Sequence, residues 1–484
     1  MAVRPVSEAA SPERPPITWW TKFFYGFGAV AYGVKDNGFS FFLLLYYNQV
    51  LGLPQEWVGP GITVALVIDA ISDPLVGQMS DNLHSRWGRR HPFMYAAALP
   101  VGVLYFLLFR PPAGLEGGAL FAYFVVAAVL VRTFITLYEI PSTSLVAELT
   151  DDYDERTSML SYRLLFAWWG GLLMSVLAYT VFLQATPDYP VGVLNPAGYH
   201  GYGLVAACFM VVAILVSAIG THRHIPYLKS PPPKQPFDLA RTLGEIGQTL
   251  RNRNFLVLFV SGLFAAVAAG LSAALNIYFN TYFWELDSDQ ISRLVLTLFF
   301  SAALAQAVTP RLSMRIGKKR AAILFAGVGA VLAPMTIVLR LSGWFPDNGT
   351  PWLLPTLIAF TAVEVTLIIA WSILVGSMVA DVVEESEIKT GRRSEGLFFA
   401  ARSFMQKAVS GVGVLTSTAI LSAVDFPADA QPGAVDPAVI RSLGLVYAPT
   451  IVTLYILAVA SLGAYRIDRE SHEETLRRLA ERQQ

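Results

Sequence analysis

The amino-acid sequence predicts an all-α membrane protein with twelve transmembrane helices in two six-helix halves. Composition is the first reason: of 484 residues, 54% are hydrophobic and 14% charged, against about a quarter charged in a soluble domain. The second is the gathering of apolar residues into runs of about 20, the length that crosses hydrocarbon. The third is the alternation of basic and non-basic connections between those runs, which sets orientation.

The runs lie at 23–51, 56–80, 93–111, 117–148, 157–185 and 200–220, and resume at 254–284, 288–310, 321–341, 351–379, 396–424 and 442–466. Residues 1–22 are polar and Pro-rich and lack the hydrophobic core of a signal peptide, so the first run is expected to be retained. The divider, 221–253, holds Ser230-Pro231-Pro232-Pro233 and a stretch from Phe237 to Leu250 that could form an amphipathic surface helix. It reads as a linker between an N-terminal bundle (23–220) and a C-terminal bundle (254–466), with 467–484 as a tail. Basic residues crowd alternate connections: Arg86, Arg89 and Arg90; the divider; Arg315, Lys318, Lys319 and Arg320; Lys389, Arg392 and Arg393; and the tail. Both termini are therefore expected on the cytoplasmic side of a bacterial-type inner membrane.

Several function classes drop out. Formal net charge is zero, so no bulk charge points to nucleic acid. The single cysteine, Cys208, lies in an apolar run, which excludes disulfides and thiolate clusters. No GxGxxG after a strand, GxxxxGK[ST], HExxH or GxSxG is present, so neither an enzyme nor an ATP-driven pump is expected. A sensor would need a sizeable cytoplasmic effector domain, and neither linker nor tail is long enough. Energy must come from an ion gradient, or the chain is a facilitator. The expected partners are the bilayer, a small solute and a coupling cation, Na+ or H+, with no other cofactor and a monomeric state.

The polar residues inside the apolar runs carry the chemistry. Asp69 and Asp73 lie one turn apart on one helix face, with Ser72 beside them. Arg132, Thr136 and Glu139 form a stripe on the fourth helix, Lys35 and Asp36 interrupt the first, and Arg163 starts the fifth. Intramembrane ionisable groups are costly and usually face a polar interior; hard oxygens from Asp, Ser and Thr suit a small cation. Buried ion pairs that only hold helices together are the plainer alternative, but an excess of acids is a poor packing device. In the second half Glu364, Trp371, Gln406 and Lys407 are candidates for the cavity wall, and Asn276 and Asn280 could line it or bond a neighbouring helix. The halves also echo one another: Arg86-Trp87-Gly88-Arg89-Arg90 after helix 2 is matched by Arg315-Ile316-Gly317-Lys318-Lys319 after helix 8, and acids follow helices 4 and 10. A gate is expected in which Arg86, Arg89 or Arg90 pairs with those acids, Asp381 among them, with Arg392 nearby, to hold the cytoplasmic side shut.

Lys35-Asp36, Asp69-Ala70-Ile71-Ser72-Asp73-Pro74, Ser85-Arg86-Trp87-Gly88-Arg89-Arg90, Glu139-Ile140-Pro141 and Lys389-Thr390-Gly391-Arg392-Arg393 occur in this order. With them the chain resembles, over nearly its whole length, the glycoside–pentoside–hexuronide:cation symporters, the melibiose permease family of the major facilitator superfamily. The resemblance implies a cation site (as a metal site, Na+ on Asp69 and Asp73) at Asp69, Ser72, Asp73 and Thr136 with Glu139 beside it. It implies solute contacts at Lys35, Asp36, Glu139 and Arg163, and a polar contribution from Lys407. Ser72 stands where the melibiose carrier has Asn, Glu139 where it has Asp, and Thr143 where it has an aromatic residue. Related branches move lysolipids and other solutes, so a non-sugar substrate is the alternative.

Overall fold

The computed structural model describes residues 16–150, 152–228, 252–390, 395–427 and 430–467, with scattered positions between 470 and 481. The linker stretch 229–251 and Arg392 lie outside the described residues, as does the side chain of Lys407.

The chain is helical from end to end of its apolar runs. We number the long helices α1 (19–50), α2 (Gln55–Asn82), α3 (His91–Leu108), α4 (Gly117–Ser144), α5 (Tyr153–Leu177), α6 (Pro196–His222), α7 (Arg253–Tyr278), α8 (Ser288–Ile316), α9 (Lys318–Leu341), α10 (Leu353–Thr390), α11 (Glu395–Ala423) and α12 (Pro437–Gly463). Among the described residues, ten are long and apolar enough by themselves to cross a membrane. α1 is a broken rod. Its helical pieces Trp19–Phe27 and Ala29–Asn37 meet at Gly28, and π-helical turns follow at Gly38–Phe42 and Tyr46–Val50. Such turns concentrate at functional sites, and the first follows Lys35-Asp36 directly. Polar caps start the helices: Thr18, Asp152, Asn195, Asn252 and Asp436 each accept from a first-turn N–H, and Asp287 with Gln290 completes a capping box.

Packing repeats with a six-helix period. In the first half α1 packs on α5 and α6, α2 on α4, and α3 on α4 and α6; in the second α7 packs on α11 and α12, α8 on α10, and α9 on α10 and α12. The contacts between halves, α2 with α11 and α5 with α8, exchange under the same operation. Each of the echoing basic loops holds a glycine with positive φ, Gly88 (71°) and Gly317 (85°), where a side chain would be strained. Small residues bring helices close. A Cβ at Gly33 would stand 1.8 Å from the Ala167 carbonyl oxygen, and one at Gly171 would stand 2.5 Å from that of Gly33, so α1 and α5 touch backbone to backbone. Leu99, Ile219 and Phe300 turn outward, the orientation lipid requires, and Trp19, Trp20, Trp344 and Trp352 are exposed at helix ends, where an interfacial belt belongs.

One boundary moved. The run predicted to end at 379 continues as helix to Thr390, so Asp381, Glu384, Glu385 and Glu387 ride on α10 rather than in a connection. Charged residues that are good helix formers extend a helix once it leaves hydrocarbon, and hydropathy does not register them.

Candidate functional site

A cavity of about 350 Å3 lies between the halves, walled by α1, α2 and α4 on one side and by α7 and α11 on the other. Lys35, Asp36, Asp69 and Arg132 supply its charge; Ala269, Gly270 and Ser410 form part of the far wall. Lys35 is 1% exposed and sits with Nζ 4.3 Å from the Tyr32 ring centre and 3.5 Å from Asp36 Oδ1. The Asp36 side chain is half exposed and faces the opening.

Next to this pair is the acidic site. α2 and α4 pack together, which sets the Asp69 face against the Arg132–Thr136 stripe. Thr136 Oγ1 lies 2.8 Å from Asp69 Oδ1 and 3.2 Å from Asp73 Oδ1, so one hydroxyl bridges two carboxylates. Arg132 Nη1 donates to Asp69 Oδ2 at 2.9 Å, and its guanidinium stands 4.7 Å from the Phe39 ring centre. Asp69, Arg132 and Thr136 are buried. Ser72 lies beside them, but its hydroxyl donates back to the Asp69 carbonyl oxygen at 3.0 Å. Asp69, Asp73 and Thr136 thus converge, while Ser72 is turned to its own helix and Asp69 already holds a cationic side chain. The stripe revealed Arg132 in the sequence, but only packing shows what it holds.

Glu139, a turn beyond Thr136, goes elsewhere. Its Oε2 accepts from Arg163 Nη2 at 2.6 Å, Thr143 Oγ1 lies 3.5 Å from Oε1, and the guanidinium stands 5.7 Å from the Tyr25 ring centre. Glu139 and Arg163 therefore form a second charged pair between α4 and α5.

Trp371 departs from the expectation of a cavity-wall contact. It lines a separate apolar chamber of about 170 Å3 between α7, α9, α10 and α12, with Phe255, Phe259, Phe325 and Tyr455. The indole follows its face of α10 inward to the C-terminal bundle. Trp371 Nε1 is buried without a hydrogen-bond partner among the described residues. The chamber and the polar cavity share Ala269 as a lining residue. Asn276 and Asn280 bond each other, at 2.9 Å.

Of the expected gate contacts, those to an acid after α4 form, whereas Asp381, expected to meet Arg86, Arg89 or Arg90, pairs with Lys318. Arg89 Nε and Arg90 Nε each lie 2.8 Å from Oε1 of Glu148, in the short helix Val146–Leu149 after α4. Arg90 also reaches Ser80 Oγ at 2.7 Å and pairs with Asp81. Arg86 stacks on Trp87. Asp381 pairs with Lys318 at 2.6 Å. Both the 86–90 loop and the loop of Lys318 thus have partners within their own bundle. The halves are stitched at the opposite end. Tyr278 Oη donates to Asn48 Oδ1 at 2.7 Å; Gln49 Nε2 donates to the Pro427 carbonyl at 3.0 Å; and Gln49 Oε1 accepts from Tyr282 Oη at 3.2 Å and Ala430 N at 3.1 Å. Ser288 bonds the Leu183 carbonyl and Gln184 bonds Asp289, joining α8 to the end of α5.

Known proteins agree with this architecture. The chain is 25% identical to the isoprimeverose transporter of Lactiplantibacillus pentosus over 96% of this chain and 93% of that one. It is 25% identical to the mouse sphingosine-1-phosphate transporter MFSD2B over 92% and 88%. The crystal structure of a D-xylose–proton symporter superposes with a TM-score of 0.62 at 14% identity, covering 91% of this chain and 97% of that one. Residues 24–469 match the MFS/sugar transport protein family, and with the motifs above this places the chain in that family, the glycoside–pentoside–hexuronide:cation symporters.

Proposed function

We propose that the chain carries a glycoside or similar small polar solute across the cytoplasmic membrane by symport with a cation, alternating access between the two sides with both termini inside. One observation carries this reading: the same cavity exposes Asp36 and, through Asp69 and Arg132, the acidic site of α2 and α4. Solute and ion sites therefore open on one cavity, which is what linkage between them requires. Carboxylates accept from sugar hydroxyls and a guanidinium donates several bonds, so Asp36 and Arg132 could read a polyol directionally, while the Glu139–Arg163 pair, assigned to the solute by the family resemblance, stands outside the lining of this cavity. Lys35 tunes Asp36, and Lys407 is assigned a polar contribution by the family motif. Opening the stitched end while closing the basic end would move the cavity from one side to the other, with Arg86, Arg89, Arg90, Asp381 and Arg392 at the closing end.

The test separates the two roles in proteoliposomes. Asp73→Asn should abolish uphill accumulation while solute exchange survives. Asp36→Asn should weaken solute binding by about 1.5–3 kcal/mol, as expected for a hydrogen bond to a charged group. Wild-type accumulation in both Asp69→Asn and Asp73→Asn refutes the ion site, and unchanged binding in Asp36→Asn refutes the solute site.

A second reading has its own support. The apolar chamber beside the polar cavity, and the likeness to a sphingosine-1-phosphate transporter, favour an amphipathic solute whose head lies by Asp36 and whose apolar part lies by Trp371. Competition by an alkyl glycoside at far lower concentration than by the free sugar would select it.

A further inference from the structure

We infer that Arg132 is a built-in cation at Asp69 and that it makes this transporter insensitive to sodium and lithium. The inference rests on the reading of Asp69 and Asp73 as the coupling site. A metal ion there would need the carboxylate oxygens to turn toward it and the neutral hydroxyls to present lone pairs. Instead both Asp69 oxygens face donors, Arg132 Nη1 on Oδ2 and Thr136 Oγ1 on Oδ1. The Thr136 hydroxyl directs its one hydrogen at the acids, and Ser72 gives its own to the helix backbone.

The guanidinium cannot step aside cheaply or lose its charge. It is buried and lies against the Phe39 face, and a guanidinium is a permanent cation. Its Nε has no acceptor among the described residues, so the Asp69 bond and the Phe39 ring fix its place. A sodium ion entering beside Asp69 would meet a fixed positive charge within bonding distance of its own ligand. That repulsion is strong away from bulk water. Arg132 also lines the solute cavity, so the tethered charge links the acidic site to the solute where a mobile metal would otherwise stand. An Arg132 that merely neutralises Asp69, leaving Asp73 to bind sodium, predicts the opposite ion response.

The experiment follows thermal unfolding of purified protein in sodium, lithium, potassium or choline chloride at equal ionic strength, because an ion that binds the folded state raises its melting temperature. Wild type should melt at the same temperature in all four salts. Arg132→Gln should acquire stabilisation specific to sodium and lithium, with sodium affinity at least about tenfold above potassium, and Arg132→Lys should stay indifferent. Arg132→Met, which keeps packing against Phe39, serves if the Gln variant does not fold. Sodium-specific stabilisation of wild type overturns the inference, as does indifference of the folded uncharged variant. Adding Asp69→Asn to Arg132→Gln should erase the acquired response; its persistence would show instead that the ion site itself is misassigned.

Discussion

Gln49→Ala should release the stitched end. Gln49 makes three bonds across the halves, to the Pro427 carbonyl, from Tyr282 Oη and from Ala430 N, at 3.0, 3.2 and 3.1 Å. Each is a neutral bond of roughly 0.5–1.5 kcal/mol net. Their loss removes about 1.5–4.5 kcal/mol from the closed arrangement, because in the opened arrangement water serves the same groups. At 1.4 kcal/mol per tenfold, the equilibrium shifts by about ten- to a thousandfold toward opening at that end. Ser40 lines the cavity and gives a reporter. With Cys208, which is exposed, first changed to Ser, Ser40→Cys should react slowly with an impermeant thiol reagent added outside cells. It should react at least about tenfold faster when Gln49→Ala is added, and Tyr278→Phe, which removes one bond to Asn48, should produce a smaller rise. Equal rates with and without Gln49→Ala would refute the claim that these bonds hold the end shut.

Glu148→Gln should destabilise by about 3–5 kcal/mol, because a buried carboxylate shared by two guanidinium groups is lost. Asp81→Asn, whose side chain is half exposed, should cost about 0–1 kcal/mol, and melting temperatures in detergent compare the two. Gly329→Leu should narrow the apolar chamber that Gly329 lines, since a Cβ there would enter open space. If the solute is amphipathic, an alkyl glycoside should lose about 0.8 kcal/mol of binding per displaced methylene, and a methyl glycoside should lose none. Equal effects on both would remove the chamber from the solute path.

The ion pairs of the basic end and the neutral bonds of the stitched end divide stability from transport. Glu148 locks the loop after α2 to the end of α4 inside one bundle, so it supports a rigid body. Gln49, Tyr278 and Tyr282 join two bodies through neutral bonds, individually weak enough to break in each cycle. Buried ion pairs hold what stays together, and uncharged hydrogen bonds hold what must part. The distinction follows from cost, since separating a buried charge pair is far more expensive than exchanging neutral bonds with water.

The spans were legible because an apolar run and its flanking charges are properties of a local stretch. The internal repeat was legible in the same way: Gly88 and Gly317, in matching basic loops, both take a positive φ. So was the Asp69–Asp73 pair, since residues four apart share a helix face wherever the helix goes. What the periodicity leaves open is the neighbour. The stripe Arg132, Thr136 and Glu139 reads as one unit in the sequence, yet its first two members meet α2 while Glu139 meets Arg163 of α5. Arg89 and Arg90 had several acids within reach by sequence, and packing chose Glu148. Trp371 shares a helix with cavity candidates but turns into its own bundle. Asn48 and Gln49 carried no signal, because their partners lie in α7 and in the 427–430 connection, more than two hundred residues away. A helix fixes the directions in which its side chains point; only the docking of distant helices decides what stands there to meet them.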